Sequence, residues 1–388
     1  MNIFRVARYL IPLSSRKKRQ LKLFSRFLSD FNLKKVKKLM KLNLTGTFMT
    51  SLNTQFKLGS FPQLSPIVTD VEIKNIIDDI NRKVLYSAEK KAYQRFSEQA
   101  RIEIPNFLGR NLKGYNDILK AASLLLFSKD TIHLLIIGDP GTGKTEVLRA
   151  VEEISPNSQF GLGSGVSGVG LTGTTKGKEF IPGLLVKADK GICCIDELNL
   201  MLKKDRASLL NAMEKGFITY NKGKTHKRLN ARIRVLATAN PKGDRFVGKG
   251  TNITKTQLPF DEALLSRFHL MFVVRKPSLK EFKEITKHIV SKKQKYGIED
   301  ISFLKEYVDY AEALKVSFPE SFKKKVVDFI QELKEQEEHI LREVSPRLVK
   351  AIIRLSKASA RLELRPRVEE ADLNFVLKLI KDAYLLRR

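Results

Sequence analysis

Residues 138–145 read Gly-Asp-Pro-Gly-Thr-Gly-Lys-Thr, which meets the phosphate-loop pattern G-x-x-x-x-G-K-[ST] at every fixed position. In such a loop Asp139, Pro140, Gly141, Thr142 and Gly143 wrap a nucleotide's phosphates, Lys144 reaches the β- and γ-phosphates, and Thr145 holds Mg²⁺. Downstream, residues 191–197 form an apolar run ending in two acids. Beside the loop, Asp196 is placed to hold the Mg²⁺ hydration shell, and Glu197 to polarise an attacking water. A second apolar run, 234–239, leads into Asn240, which can orient water or touch a γ-phosphate. Arg267 precedes a further apolar run, 270–274. A guanidinium there can project into the nucleotide of a neighbouring subunit and stabilise charge in phosphoryl transfer. Singly, Asn240-Pro241 is an ordinary turn and Arg267 an ordinary surface ion-pair residue. Their order after the loop gives them meaning.

This chemistry needs a strand–loop–helix frame, and the sequence supplies one. Ile132, Leu134, Leu135, Ile136 and Ile137 form a run suited to a buried strand. Residues 145–154 read as a helix with Val147, Leu148 and Val151 on one face. That arrangement aims backbone N–H groups and a helix N-terminus at phosphate oxygens. From about 105 to 276, strand-like runs alternate with helical stretches, an α/β pattern with a mostly parallel sheet. From 277 to 388 the chain reads as about four helices. Pro277, Pro319 and Pro346 lie near helix starts, and Ser345-Pro346 forms an N-cap and N1 pair. Upstream, Leu23, Phe24, Phe27, Leu28 and Phe31, then Leu33, Val36 and Met40, have helical spacing. Residues 43–68 read as a linker. Thr69 and Glu72 form a capping box that opens a helix within 69–104. The expected divisions are 1–68, 69–104, 105–276 and 277–388.

The chain has 388 residues, 42% hydrophobic and 29% charged, which predicts a soluble globule of two or three domains. No apolar run approaches the ~20 residues a membrane helix needs, and Met1–Pro12 lacks a signal-peptide cleavage site. Cys193 and Cys194 are adjacent in an apolar run, so buried free thiols on opposite strand faces are expected. The formal net charge of +30 points to a polyanionic partner, with nucleic acid ahead of a membrane surface. Residues 1–45 hold thirteen Lys and Arg, including Arg16, Lys17, Lys18 and Arg19, against the one acid Asp30. Apolar residues are interleaved with them, which favours nucleic-acid binding over a solvated charge run.

Residues ~105–386 resemble the ATPase core of the MCM replicative helicases, within the AAA+ class. The resemblance rests on the 132–145 strand and loop, Gly170-Leu171-Thr172, the 191–197 strand, and Leu229-Asn230-Ala231-Arg232 leading to Ala239-Asn240-Pro241. It continues through 264–268 and Ser345-Pro346-Arg347 with Ile353-Arg354-Leu355-Ser356, all in family order. The family usually has Ala-Lys-Ser where this chain has Gly143-Lys144-Thr145, Phe-Asp at Leu198-Asn199, and Asp at His269. The resemblance implies an AAA+ core with a C-terminal all-α lid, binding ATP and Mg²⁺. It makes Asp196 and Glu197 the Walker B pair, Asn240 sensor 1, Arg267 a finger acting in trans, and Arg347 the sensor 2 arginine, also reaching a neighbour. It further implies a homo-oligomer, a hexameric ring around single- or double-stranded DNA, working beside other replication proteins.

Rings of this kind carry two inserts that touch DNA. For one, residues 217–220 and 231–234 are the expected strands, with 221–224 as the tip. Lys222, Lys224, Lys227 and Arg228 make it basic, which suits phosphate contact. The other lies between Thr172 and Leu184, with Lys176 and Lys178 as its charges. The first ~100 residues do not resemble the family. The reading expects neither its N-terminal barrel and zinc site nor its C-terminal winged helix in this sequence. The expected function is an ATP-driven DNA helicase or replication motor in the cytoplasm, associated with the nucleoid. The rival readings are a protein-remodelling ATPase of the MoxR or chelatase kind, and an initiator ATPase without processive unwinding.

Overall fold

Runs of apolar residues at both odd and even positions can only be covered from two sides, and such runs build the central sheet here. The computed structural model describes residues 89–176, 179–222, 225–248, 250–290, 296–337, 340–341 and 343–384. The chain divides into two units, 1–99 and 100–388. In the first, the described residues include a helix over 89–97. The two amphipathic helices, the linker, the capping box and Arg16–Arg19 expected upstream lie outside the described residues.

The second unit starts with helices α1 (Ala100–Leu108) and α2 (Asn116–Phe127), then strand β1 (His133–Gly138) and helix α3 (Lys144–Ile154). Strand β2 (Ser158–Leu162), the short α4 (Gly168–Thr172), hairpin β3 (Gly173–Lys176) and β4 (Glu179–Pro182), and α5 (Leu184–Lys187) lead to β5 (Ile192–Asp196). Helix α6 (Arg206–Lys215), hairpin β6 (Phe217–Lys222) and β7 (Thr225–Asn230), then β8 (Arg234–Ala239) follow. Short helices α7 (Thr251–Thr256) and α8 (Glu262–Leu265) precede β9 (Leu270–Val274). The C-terminal helices are α9 (Leu279–Val290), α10 (Ile298–Glu312), α11 (Lys323–Glu335), α12 (Pro346–Leu362) and α13 (Glu370–Tyr384).

The five-stranded sheet runs β2-β5-β8-β1-β9, every neighbouring pair parallel, with helices flanking it. Leu135, Ile137, Cys193, Ile195, Val235 and Ala237 enter one core cluster with Leu209, Leu264 and Phe268. Each fully buried aliphatic side chain contributes about 1.5–3 kcal/mol. Cys193 and Cys194 are both buried and free, as expected. Burial pushes the Cys193 thiol up to about 12 and also raises the Cys194 thiol well above its ordinary value. This order puts the C-terminal ends of β5, β8 and β1 side by side, so Asp196, Asn240 and the glycine loop share one crevice.

Three local expectations are corrected. The β6 partner is Thr225–Asn230, register Lys222↔Thr225 and Phe217↔Asn230, and not 231–234. Ala231 and Ile233 are buried at the foot of the hairpin and mimic a strand's apolar alternation. There the Ala231 N–H donates to Gly216. Arg234 instead opens β8 in the core sheet, paired with Ile192. Lys227 and Arg228 are therefore strand residues rather than neighbours of the tip. Next, Pro346 is N1 of α12 as expected, but the Ser345 hydroxyl makes no capping bond. Finally, the C-terminal region has five helices of eight residues or more among the described residues, where about four were expected.

Candidate nucleotide site

Gly141 and Gly143 take left-handed backbone, φ +73° and +88°, which lets the loop curl ahead of α3 without a Cβ penalty. Lys144, the first residue of α3, is 8% exposed, and its Nζ donates to the Gly138 and Asp139 carbonyls at 2.8 and 2.9 Å. Burial pulls its pKa below the ordinary value, while Asp196, Asp139 and Glu197 pull it back up. The Tyr115 hydroxyl donates to the Thr142 carbonyl at 2.6 Å and steadies the loop from outside. The Asp139 carboxylate is taken up by the protein, accepting from the Phe246 and Lys276 N–H groups at 2.8 Å each. It braces the loop against the segments after β8 and β9.

Thr145 Oγ1 lies 2.9 Å from Asp196 Oδ2. This all-oxygen pair fits Mg²⁺, which takes one or two protein oxygens and keeps water on its other positions. Thr238 donates to Asp196 Oδ1 and accepts from the Glu197 N–H at 3.0 Å, so one hydroxyl on β8 holds the Asp196 carboxylate and the Glu197 backbone. Glu197 sits in the left-handed region at φ +52°, a conformation that costs about 1–3 kcal/mol in a non-glycine residue. Its carbonyl lies so close to Gly163 that a Cβ there would collide with it. The Asn240 N–H donates to Asn199 Oδ1 at 2.9 Å.

At both positions where the family usually has Asp, this chain offers a neutral acceptor to a backbone N–H. Asn199 accepts from Asn240, and His269 Nδ1 accepts from the His133 N–H at 3.0 Å. His133 is itself fully buried, with Nδ1 accepting from the Val235 N–H at 3.1 Å and Nε2 against the Met213 carbonyl at 3.1 Å. These contacts define the neutral tautomer with the proton on Nε2.

Arg267 and Arg347 come together, and their hydrogen-bond partners among the described residues are not in the loop. Arg267 Nη2 pairs with Glu214 Oε2 at 2.7 Å, and Arg347 Nη2 with Glu214 Oε1 at 3.3 Å. Arg267 also donates to the Ala263 carbonyl, and Arg347 to the Ser266 carbonyl at 3.2 Å.

The two hairpins pack against each other. The Thr175 and Tyr220 hydroxyls are 3.2 Å apart, and Phe180 meets Tyr220 edge-on with centroids 5.1 Å apart. Lys227 lies 5.5 Å from the centre of the Phe180 ring, and Arg228 lies 3.6 Å from that of Phe217. Lys176, Lys227 and Arg228 are exposed. Lys178, Lys224 and the Lys222 side chain lie outside the described residues. Sequence reasoning missed Tyr115, Gly163, Thr238 and Glu214. Thr238 had a signal, as a polar residue inside an otherwise apolar strand run. Glu214 had none, because its partners are 53 and 133 residues away.

A parallel sheet, a glycine loop at a helix N-terminus, paired acids at the end of β5 with β8 between them and the loop's strand, and a helical lid define a P-loop nucleotide-binding core of the AAA+ class. Residues 94–293 match the MCM P-loop domain, and residues 302–384 match the MCM AAA-lid domain. This chain belongs to the MCM family. It is 29% identical over 372 residues to the DNA replication licensing factor mcm7-B of Xenopus laevis, covering 87% of this chain and 51% of that protein. It is 28% identical over 374 residues to the minichromosome maintenance protein MCM of Saccharolobus solfataricus, covering 88% and 53%. It is 34% identical over 270 residues to DNA replication licensing factor MCM4 of Drosophila melanogaster, covering 66% and 31%. The chain thus spans about half the length of the first two relatives.

Proposed function

We propose that this protein is an ATP-hydrolysing motor that moves along DNA as an oligomeric ring and separates its strands. The observation that carries the reading is the pairing of Arg267 and Arg347 on Glu214, with no described partner in the chain's own loop. Arginines placed so serve a neighbour's nucleotide, which makes each site a property of two subunits. In this reading Lys144 and the α3 N-terminus bind the phosphates. Thr145 and Asp196 hold Mg²⁺, which when bound neutralises phosphate charge. Glu197 takes a proton from the attacking water, and Asn240 orients that water. Arg267 and Arg347 enter the neighbouring site.

The packed pair of hairpins, with Lys176, Lys222, Lys227 and Arg228, contacts DNA phosphates without base-specific geometry. The basic residues 1–68 add a second DNA contact, 69–104 joins them to the 105–276 ATPase core, and 277–388 is the lid. Among the described residues no helix is long and apolar enough to cross a membrane. Strand separation of a forked duplex, compared between the wild-type chain and Lys144→Ala, tests the proposal. The expected result is ATP-dependent unwinding lost in the variant. Hydrolysis that DNA does not stimulate, with no strand separation, would overturn the reading in favour of a protein-remodelling motor.

A further inference from the structure

We propose that Glu214 is the positioning residue of the site between subunits, holding Arg267 and Arg347 as one unit at the foot of the β6–β7 hairpin. The inference rests on the reading that these arginines act in trans, and it adds what aims them.

Each carboxylate oxygen takes one arginine, at 2.7 and 3.3 Å. The two guanidiniums arrive from different elements. Arg267 follows α8 in the core, and Arg347 lies in the first turn of α12 in the lid. Arg347 also donates to Ser266, the residue before Arg267, so core and lid meet at this point. Two cations side by side repel, and a cation in a helix's first turn opposes the helix dipole. Glu214 offsets both effects. The Nε of Arg267 is buried with no hydrogen-bond partner among the described residues, so its planar orientation leans on Glu214 and Ala263.

The cluster is also joined to the hairpin. Glu214 lies in the last turn of α6, which Gly216 closes at φ +70°. Strand β6 begins at Phe217, and the Ala231 N–H returns from β7 to the Gly216 carbonyl at 2.9 Å. Two residues, Lys215 and Gly216, thus separate Glu214 from the hairpin's first strand, through a closed turn. A load on the hairpin reaches the arginine pair through Glu214. The pairs hold without being locked. Glu214 and Arg347 are 43% and 42% exposed, and ion pairs so exposed add little to stability. A neighbour's polyphosphate can then take the guanidinium N–H groups that Glu214 leaves free, while the carboxylate keeps its hold on both arginines. Global stability is therefore indifferent to Glu214, while the geometry of the shared site is not.

The test is ATP hydrolysis by the full chain in mixed rings. Glu214→Gln is expected to lower turnover about tenfold with little change in KM, the pattern of an interaction made only in the transition state. Glu214→Lys, which sets three cations together, is expected to be inactive with an unchanged melting temperature. Mixed in equal amounts with Lys144→Ala, it supplies intact loops, and Lys144→Ala supplies intact arginines. Random assembly then pairs the two at about a quarter of the interfaces, and hydrolysis returns to about that share of wild type. The control mixture of Arg267→Ala with Lys144→Ala tests the trans reading alone. Recovery in the control without recovery for Glu214→Lys overturns the role of Glu214 and spares the trans reading. No recovery in the control overturns both. Wild-type turnover in Glu214→Gln overturns the inference whatever the mixtures do.

Discussion

Thr238 shows how one hydroxyl can set a catalytic geometry. It donates to the Asp196 carboxylate and accepts from the Glu197 N–H, so it ties the first acid's side chain to the backbone of the second. Thr238→Val keeps the volume and leaves a buried N–H and a carboxylate oxygen unpartnered, at about 1–3 kcal/mol. Turnover in that variant falls by about tenfold or more, while nucleotide binding, held by Lys144 and the loop, changes little. Wild-type turnover measured with bound-nucleotide titration would remove Thr238 from the site. His133 is a second case, and its effect is on stability. Burial pulls it from 6.5 down to about 4, and Arg354 adds to the shift. The folded value lies below the unfolded one, so the unfolded chain protonates first as pH falls. The stability involved is complete above about pH 6.5 and is lost between 6.5 and 4, by at most about 1.4 kcal/mol per unit. Urea midpoints at pH 7 and pH 5 check this. The wild-type chain loses stability over that interval, and His133→Asn, weaker at both values, loses less. An equal slope in the two proteins would assign the loss to other groups.

At the scale of elements, what was legible in the sequence was what is local. The loop, its strand and α3 are contiguous and were read almost to the residue. The acids of β5 and Asn240 of β8 were found because each ends an apolar run. The second strand of the β6–β7 hairpin was misread because Thr225–Asn230 has Leu229 as its one apolar residue, whereas Ala231 and Ile233 below it are buried. Arg234 was hidden in a different way. It reads as a charged strand start, yet its guanidinium is buried and caps the end of α2, donating to Leu125, Leu126 and Ser128. It also reaches Lys190 and Gly191. Arg361, over 230 residues from that helix end, takes the Phe127 carbonyl at 2.7 Å. Four carbonyls at the end of the helix, of which Leu125 also accepts from the Ser128 N–H, are thus met by two guanidiniums from β8 and α12. No local pattern announces such partners. Lysine cannot reproduce the fork. Arg234→Lys should cost about 2–4 kcal/mol, read as a lower urea midpoint with the same m value. A shift under about 0.5 kcal/mol would show that water replaces the lost donors.

At the scale of the whole molecule, the proposed function makes the loop half of one site and the arginine pair half of another. Both are complete in their own chain up to the point of contact. Lys144 and Thr145 are set by α3, and Arg267 and Arg347 are set by Glu214. Neither half needs the other to fold, so the isolated subunit is expected to be stable and to bind nucleotide. Hydrolysis is different, because in the proposed function charge developing on the transferred phosphoryl group meets the guanidiniums only in an assembly. Association depends on concentration and binding within one subunit does not. Across a dilution series with ATP saturating, hydrolysis per subunit should therefore fall as the chain is diluted, while the fraction of subunits holding nucleotide stays level. Arg267→Ala should show low hydrolysis per subunit at every concentration, since assembly no longer completes its sites. Wild-type hydrolysis per subunit that stays constant on dilution, while light scattering reports monomers, would show that the loop finishes its chemistry alone.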